Sequence, residues 1–187
     1  MQSLRYRYDG ERGWDLKWMI SSITVERQLI DHPPIVVRSL SACEWQLKRD
    51  LRLAALQDSP RAFASSYDLE IHRSEDERRA WPRDGVYFAA FHERQAVGIA
   101  GSWMRAGEPQ VTHLISMWVA PDVRGAGIAR LLTEAVVGWA REREATRLEL
   151  EVAAGNDAAM CAYLRAGFVV TKRTPSTSCR TVLELAL

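Results

Sequence analysis

The sequence predicts one α/β (α+β) domain built on a single mixed sheet. Three observations carry that expectation. Strand-like and helix-like segments follow the order β-α-α-β-β-β-α-β-α-β-β along 187 residues, an alternation that packs as helices on a sheet. Two segments keep a sustained helical period. One short segment, "RLELEV", alternates strictly, as a half-buried strand does.

The elements follow in order. Residues 1–33 mix Arg, Asp, Gly and Trp without sustained periodicity and run into Pro33-Pro34. They read as an N-terminal extension, partly ordered or disordered, with Met19 as an alternative start. The single domain is then expected over residues 34–187. Ile35 to Leu40 is a β-branched run, a strand candidate. Ser41 can cap the next helix, with Glu44 completing a capping box. Leu47, Leu51, Ala54 and Ala55 recur at helical spacing up to Asp58, before Ser59-Pro60 interrupts. A second helix is expected near Ser74–Trp81. "GVYFAAFHERQAVGIAGSWMR" places two apolar runs around Glu93-Arg94-Gln95, the pattern of a β-hairpin. "QVTHLISMWVAP" is a further strand, stopped by Pro121. From Gly127 on, Ile128, Leu131, Leu132, Ala135, Val136, Trp139 and Ala140 form the apolar face of an amphipathic helix. After the strand Arg147 to Val152, Asn156 suits the N-cap of a helix Asp157–Ala166 and Gly167 its C-terminal turn. Phe168–Thr171 and Thr181–Leu187 are closing strands.

Composition narrows the function. Hydrophobic residues make up 47% and charged residues 26%, with a formal net charge of +1. That is a soluble globular balance, and it argues against a nucleic-acid partner. The three cysteines, Cys43, Cys161 and Cys179, are odd in number and far apart. The four histidines are scattered, so no metal site is expected. Free thiols fit a reducing, cytoplasmic setting. No apolar run approaches the roughly 20 residues that span a bilayer, and no secretory signal is evident, so no membrane partner is expected.

The informative stretch is "VAPDVRGAGIARLL". A helix N-terminus carries free N–H groups and partial positive charge, which together make an anion site. Gly125 and Gly127 let the backbone approach a ligand closely and permit positive φ, and Arg124 adds a cation. Arg124-Gly125-Ala126-Gly127-Ile128-Ala129 can therefore grip a phosphate or pyrophosphate through its main chain. Taken alone, it also fits a glycine-rich helix start with no ligand. The Walker pattern fails for want of its Lys and Ser/Thr. The dinucleotide fingerprint fails for want of a third Gly.

Downstream residues add to this. Arg124, Gly127 and Ala129 are followed by Asn156, Ala159, Tyr163 and Gly167-Phe168 in "NDAAMCAYLRAGF". The combination resembles the GNAT superfamily of N-acetyltransferases. Its phosphate-binding signature is an Arg or Gln, a Gly three positions on, and a Gly or Ala two further. Its next helix often reads N-x-x-A-x-x-x-Y-x-x-x-G-F. The resemblance covers about Ile35 to Leu187. It implies a mostly antiparallel, twisted mixed sheet, splayed between strands 4 and 5 and flanked by about four helices. It further implies acetyl-CoA in that opening, the pyrophosphate on the amides of Arg124 to Ala129. The pantetheine would pair with the backbone of Met117, Trp118 and Val119, a strand-like addition, and touch Asn156. Asn156 also fits a plain N-cap.

The implied chemistry is transfer of an acetyl group to an amine. Tyr163 takes the role of acid for the leaving thiolate, or packs its helix as an ordinary aromatic. The oxyanion donor is a backbone N–H near Met117, where family members carry a bulge. A base is less clearly marked. Some relatives place a Glu four residues before the Met117 position, where this chain has His113, whose pKa near 6.5 suits the task. Strand alternation puts His113 on the face of Ile115 and Met117, with Ser116 opposite. Others in the family relay the proton through water alone. Tyr67, Asp68, Glu70, His72, Trp81 and Trp103 are candidates for the acceptor side, while Glu75-Asp76-Glu77 reads as a solvated face. The expected acceptor is the primary amine of a small molecule, attacking directly, with a protein or peptide amine as the alternative. A non-catalytic acyl-CoA sensor is the competing class, and a homodimer is possible.

Overall fold

A computed structural model describes residues 34–82, 84–177 and 179–187; the expected extension over residues 1–33 lies outside them. Seven strands form one sheet: β1 (Ile35–Ser39), β2 (Gly85–His92), β3 (Gln95–Met104), β4 (Val111–Val119), β5 (Arg147–Ala153), β6 (Val169–Val170) and β7 (Arg180–Ala186). Their spatial order is β1-β2-β3-β4-β5-β7-β6. Every neighbouring pair is antiparallel except β4 and β5, which run parallel. The predicted hairpin turns at Glu93-Arg94. The predicted strand Phe168–Thr171 shrinks to the two residues of β6.

Five α-helices are present among the described residues, one more than expected. They are α1 (Trp45–Asp58), α2 (Tyr67–Ile71), α3 (Glu75–Ala80), α4 (Ile128–Glu142) and α5 (Asp157–Arg165). The additional one is α2. At five residues it is too short to show a helical period, yet it carries a local signal. Ser66 caps it through the N–H of Leu69 at 3.3 Å, and Asp68 and Glu70 sit in its first turn. The Ser41–Glu44 pair is in place: the Glu44 carboxylate accepts from the Ser41 N–H at 2.9 Å and from its hydroxyl at 3.0 Å. The first turn there is 3₁₀, Ala42–Glu44, before α1 proper begins.

The two faces of the sheet bury different clusters. On one, Leu51 and Ala55 of α1 pack against Tyr87, Ala89, Ile99 and Trp118. On the other, Ile128, Leu132 and Val136 of α4 pack with Ala90, Ala100 and Leu114, and the cluster continues through Leu148, Leu150 and Leu183 to Tyr163 and Phe168. The apolar stripe read from the sequence is thus the buried face of α4.

One polar pair anchors the helical layer. Glu70 is 4% exposed. Its carboxylate accepts from Nε and Nη2 of Arg52 at 3.2 and 2.8 Å. Burial alone would raise its pKa, but the hydrogen bonds and charge of Arg52, together with Ser65 and Arg73, hold it lowered. Removing one partner of a buried pair strands the other. Glu70→Ala is therefore expected to cost about 3–5 kcal/mol in urea unfolding; a cost within the error of the measurement would show that the pair does not stabilise the fold.

No helix among the described residues is long and apolar enough to cross a membrane. Cys43, Cys161 and Cys179 are free and exposed. No group of three or more His, Cys, Asp or Glu side chains there is placed to hold a metal ion.

Candidate active site

β4 and β5 separate. They pair only at Val111↔Arg147, Thr112↔Leu148 and His113↔Glu149. From Leu114 to Val119, the edge of β4 that faces β5 has no ladder partner among the described residues. Unpaired strand edges are templates for another strand-like chain. Met117, Trp118 and Val119 lie on this open edge.

A bulge sits at its start. Ser116 has φ +57°, in the left-handed region. The pairing with β3 jumps from Gly101↔Ile115 to Ile99↔Trp118, so β4 holds one extra residue. This revises the expected alternation. His113 and Ile115 share the face of α1, but the extra residue turns Met117 to the other face, where it packs in the α4 cluster. Ser116 turns toward the α1 face, and its hydroxyl is 3.0 Å from that of Tyr87. Gly101 is what lets Tyr87 lie there. A Cβ at Gly101 would stand 2.8 Å from the Tyr87 ring and 3.1 Å from Ile115.

Beyond β4, the chain makes a 3₁₀ turn, Pro121–Val123, and enters α4 through the glycine loop. Gly125 and Gly127 have φ of +86° and +81°, and a Cβ at either would meet only open space. No side chain among the described residues caps α4. Among the described residues, the N–H groups of Gly125, Gly127, Ile128 and Ala129 find no backbone acceptor, whereas Arg124 and Ala126 bond back to Pro121 and Val123. Four orphaned amides at a helix start are the free donors that an anion cradle there would need. The Arg124 guanidinium is engaged elsewhere. It pairs with Asp58 and donates to the Val119 carbonyl at 3.0 Å, while Trp118 Nε1 donates to the same Asp58 at 2.9 Å. Arg124 and Trp118 thus tie the end of α1 to the loop.

The splay opens into a cavity of about 1150 Å³. His113, Ser116, Met117, Asn156 and Tyr163 all line it; Trp118, Val119 and the loop Arg124–Ala129 do not. Asn156 caps α5, its Oδ1 accepting from the Ala159 N–H at 3.2 Å. Tyr163 is 8% exposed and meets Phe168 edge-on at 5.5 Å between centroids. Burial pushes its hydroxyl pKa up, so it stays protonated at neutral pH. His113 stacks on Trp103 at 5.0 Å, and its Nε2 is buried with no partner among the described residues. Burial pushes the imidazole pKa down against the smaller upward pull of Glu149, which leaves it neutral and able to accept a proton.

That depression has a stability signature. The unfolded imidazole titrates near 6.5 and the folded one below it. His113 therefore contributes full stability above pH about 6.5, lost as pH falls through the folded value. His113→Gln is expected to flatten the fall in Tm between pH 7 and 5 relative to wild type. Parallel pH profiles of the two proteins would contradict it.

Sequence reading missed two carboxylates on β5. Glu149 and Glu151 both line the cavity. Glu149 pairs with Arg147 at 2.7 Å and Arg173 at 2.8 Å. Glu151 accepts from the N–H of Ser176 at 2.6 Å and from its hydroxyl. Together they hold the segment between β6 and β7 as a wall of the cavity. Their alternation, and Arg147 beside Glu149, are visible in "RLELEV"; their partners Arg173 and Ser176, 24 and 25 positions along the chain, are not. Glu70, a sequence candidate for attracting an amine, is committed to Arg52.

The comparisons agree with this geometry. Residues 53–168 match the family model for the GNAT acetyltransferase family. No curated protein matches the sequence. Among solved structures, a GNAT acetyltransferase from Streptococcus pneumoniae superposes with TM-score 0.67 at 18% identity, covering 82% of this chain and 99% of its own. The yncA structure of Salmonella typhimurium, which holds its cofactor acetyl-CoA, gives 0.65 at 17% identity over 82% and 94%. The ribosomal-protein-S18-alanine N-acetyltransferase of Escherichia coli gives 0.60 at 20% over 82% and 94%. With the matched residues spanning the glycine loop, the splayed strands and the Tyr163 helix, this chain belongs to the GNAT family of acetyltransferases.

Proposed function

We propose that the chain moves the acetyl group of acetyl-CoA to the primary amine of a small molecule by direct attack. The observation that carries this is the uncapped start of α4, with its four orphaned amides beside the open edge of β4. The residues fit the group. A pyrophosphate answers the free N–H groups of Gly125, Gly127, Ile128 and Ala129. A pantetheine has the amide spacing to pair with Met117, Trp118 and Val119 as an added strand. Asn156 lines the cavity wall, and we assign it to that arm. Acetyl-CoA, when bound, supplies an acetyl thioester.

The chain's own residues then supply three functions. The bulge at Ser116 re-aims the main chain at Met117, whose N–H serves as the oxyanion donor. Neutral His113 takes the amine proton, directly or through a water. Tyr163, held protonated by burial, donates to the departing sulfur. α1, α3 and the segment between β6 and β7 form the walls around the transfer point. Tyr87, Trp81 and Trp103 line the cavity beside charged side chains, the mixture of aromatic and polar groups that lines small-molecule sites.

The test is calorimetric titration of acetyl-CoA into the protein, followed by an amine panel with detection of free thiol. Binding, then thiol release with one amine class, is the expected result. Binding without release from any amine would favour an acyl-CoA sensor, and no binding would reduce the glycine loop to a helix start.

A further inference from the structure

The wall of the cavity made by α1, α2 and α3 carries charge that the proposed transfer does not use. Lys48, Arg52, Arg73 and Arg78 line it, against the carboxylates of Glu70 and Glu77. Glu70 is held by Arg52 at 2.8 Å, with Arg73 at 3.9 Å. Glu77 is turned back onto the Ser74 N–H at 2.7 Å to cap α3. Among the described residues, neither Lys48 nor Arg78 has a carboxylate partner. Arg78 is 7% exposed and donates only to carbonyls, those of Arg73 at 3.0 Å, Ile71 at 3.3 Å and Glu70.

Lys48 is half-buried. Its ammonium donates to the carbonyls of Trp81 at 2.6 Å and of Arg78. An ammonium has three N–H donors, so one is left for a ligand. Burial, and then the charge of Arg78, pull the Lys48 pKa down. Lys48 Nζ also lies 5.4 Å from the centroid of the Tyr87 ring, and the Tyr87 hydroxyl touches Ser116 at the bulge. The unanswered cation is therefore about one ring away from the transfer point. An aromatic flank runs beside it: Trp81 stands 5.9 Å from Trp103, and Trp103 is 5.0 Å from His113.

Resting on the reading of this cavity as an acetyl-transfer site, we propose that the acceptor is a small amine bearing a carboxylate. The carboxylate docks on the wall of Lys48 and Arg78, and the apolar body lies along Trp81 and Trp103. A cation held partly out of water without a counter-charge is unfavourable, and an anionic ligand answers it through charge-assisted hydrogen bonds. A purely cationic amine would meet repulsion at the same wall. The carboxylate anchors one end of the molecule, and its amine reaches the bulge past Tyr87.

The test separates anion binding from catalysis. The full chain is titrated by calorimetry with 3-phenylpropionate and, at equal ionic strength, with its neutral counterpart 3-phenylpropanamide. The carboxylate is expected to bind about tenfold more tightly or better, with an advantage that shrinks as salt is added. Lys48→Gln, which keeps N–H donors but drops one of the two charges, should cut the advantage severalfold, and Lys48→Arg should keep it. Equal affinities, no binding of either probe, or an advantage undiminished in Lys48→Gln would overturn the proposal. Should that variant not fold, a salt-insensitive preference in the wild type would overturn it equally. Acetyl-CoA is titrated in parallel. A chain that binds acetyl-CoA but shows no preference for the carboxylate loses this inference and keeps the acetyltransferase reading. A chain that prefers the carboxylate but ignores acetyl-CoA loses the acetyltransferase reading.

Discussion

Gly127→Val is expected to weaken acetyl-CoA binding by about tenfold to a hundredfold, a loss of roughly 1.4–2.7 kcal/mol, while the protein stays folded. The position sits at φ +81° as the N-cap of α4. A β-branched residue in the left-handed region costs about 1–3 kcal/mol. A Cβ there meets nothing in the protein, so no clash with the core adds to that strain. The loop either relaxes, which moves the amides of Gly127, Ile128 and Ala129 apart, or keeps its shape and puts two methyl groups where the anion would lie. Both routes act on the ligand more than on the fold. Gly138→Ala, at an open position on the same helix, is the control. It should add about 0.5–1 kcal/mol of stability and leave affinity unchanged. Wild-type affinity in Gly127→Val would remove the pyrophosphate assignment.

Tyr163→Phe is expected to leave acetyl-CoA affinity and Tm near wild type and to lower turnover by about a hundredfold. The ring packs edge-on with Phe168 and belongs to the buried cluster that joins α4 and α5 to the sheet. Phenylalanine preserves that packing and removes only the hydroxyl. Burial raises the pKa of that hydroxyl, so Tyr163 carries its proton throughout the neutral range and can deliver it to a thiolate leaving group. Single-turnover thiol release, measured beside calorimetric binding of acetyl-CoA, separates the two effects. Undiminished turnover would make Tyr163 a packing residue, and the acid would have to be water.

Both predictions concern residues that are legible in the amino-acid order, because their signals are local. The glycine loop, the face of α4 and the Asn156–Tyr163 spacing are each set within one element or its cap. The same locality places most boundaries to within a residue or two: α5 ends at Arg165 where the spacing predicts Ala166, and β7 begins at Arg180 where it predicts Thr181. Where the local signal thins, sequence and structure part. α2 has five residues and one cap, too little for a period to declare itself. β6, four residues long in the pattern, finds pairing for only two, Val169↔Glu184 and Val170↔Leu183.

Long-range fit governs the remaining features. The bulge at Ser116 depends on Gly101 across the ladder and on Tyr87 lying over it, so strand alternation alone sets Met117 on the wrong face. The charge of Arg124 is plain in the sequence, but its partner Asp58 lies at the far end of another helix. Glu149 and Glu151 appear as one polar face of a strand, and their placement beside the cavity follows from Arg173 and Ser176 closing over them. Amino-acid order alone is enough for the fold class, the glycine loop and the Tyr163 helix, since backbone geometry and side-chain period act over a few residues. The direction in which β4 presents its side chains, the pairing of each charge, and the cation left unanswered at Lys48 come only from strands and helices distant in the chain meeting in space, because burial and counter-charge belong to the packed surroundings of a residue.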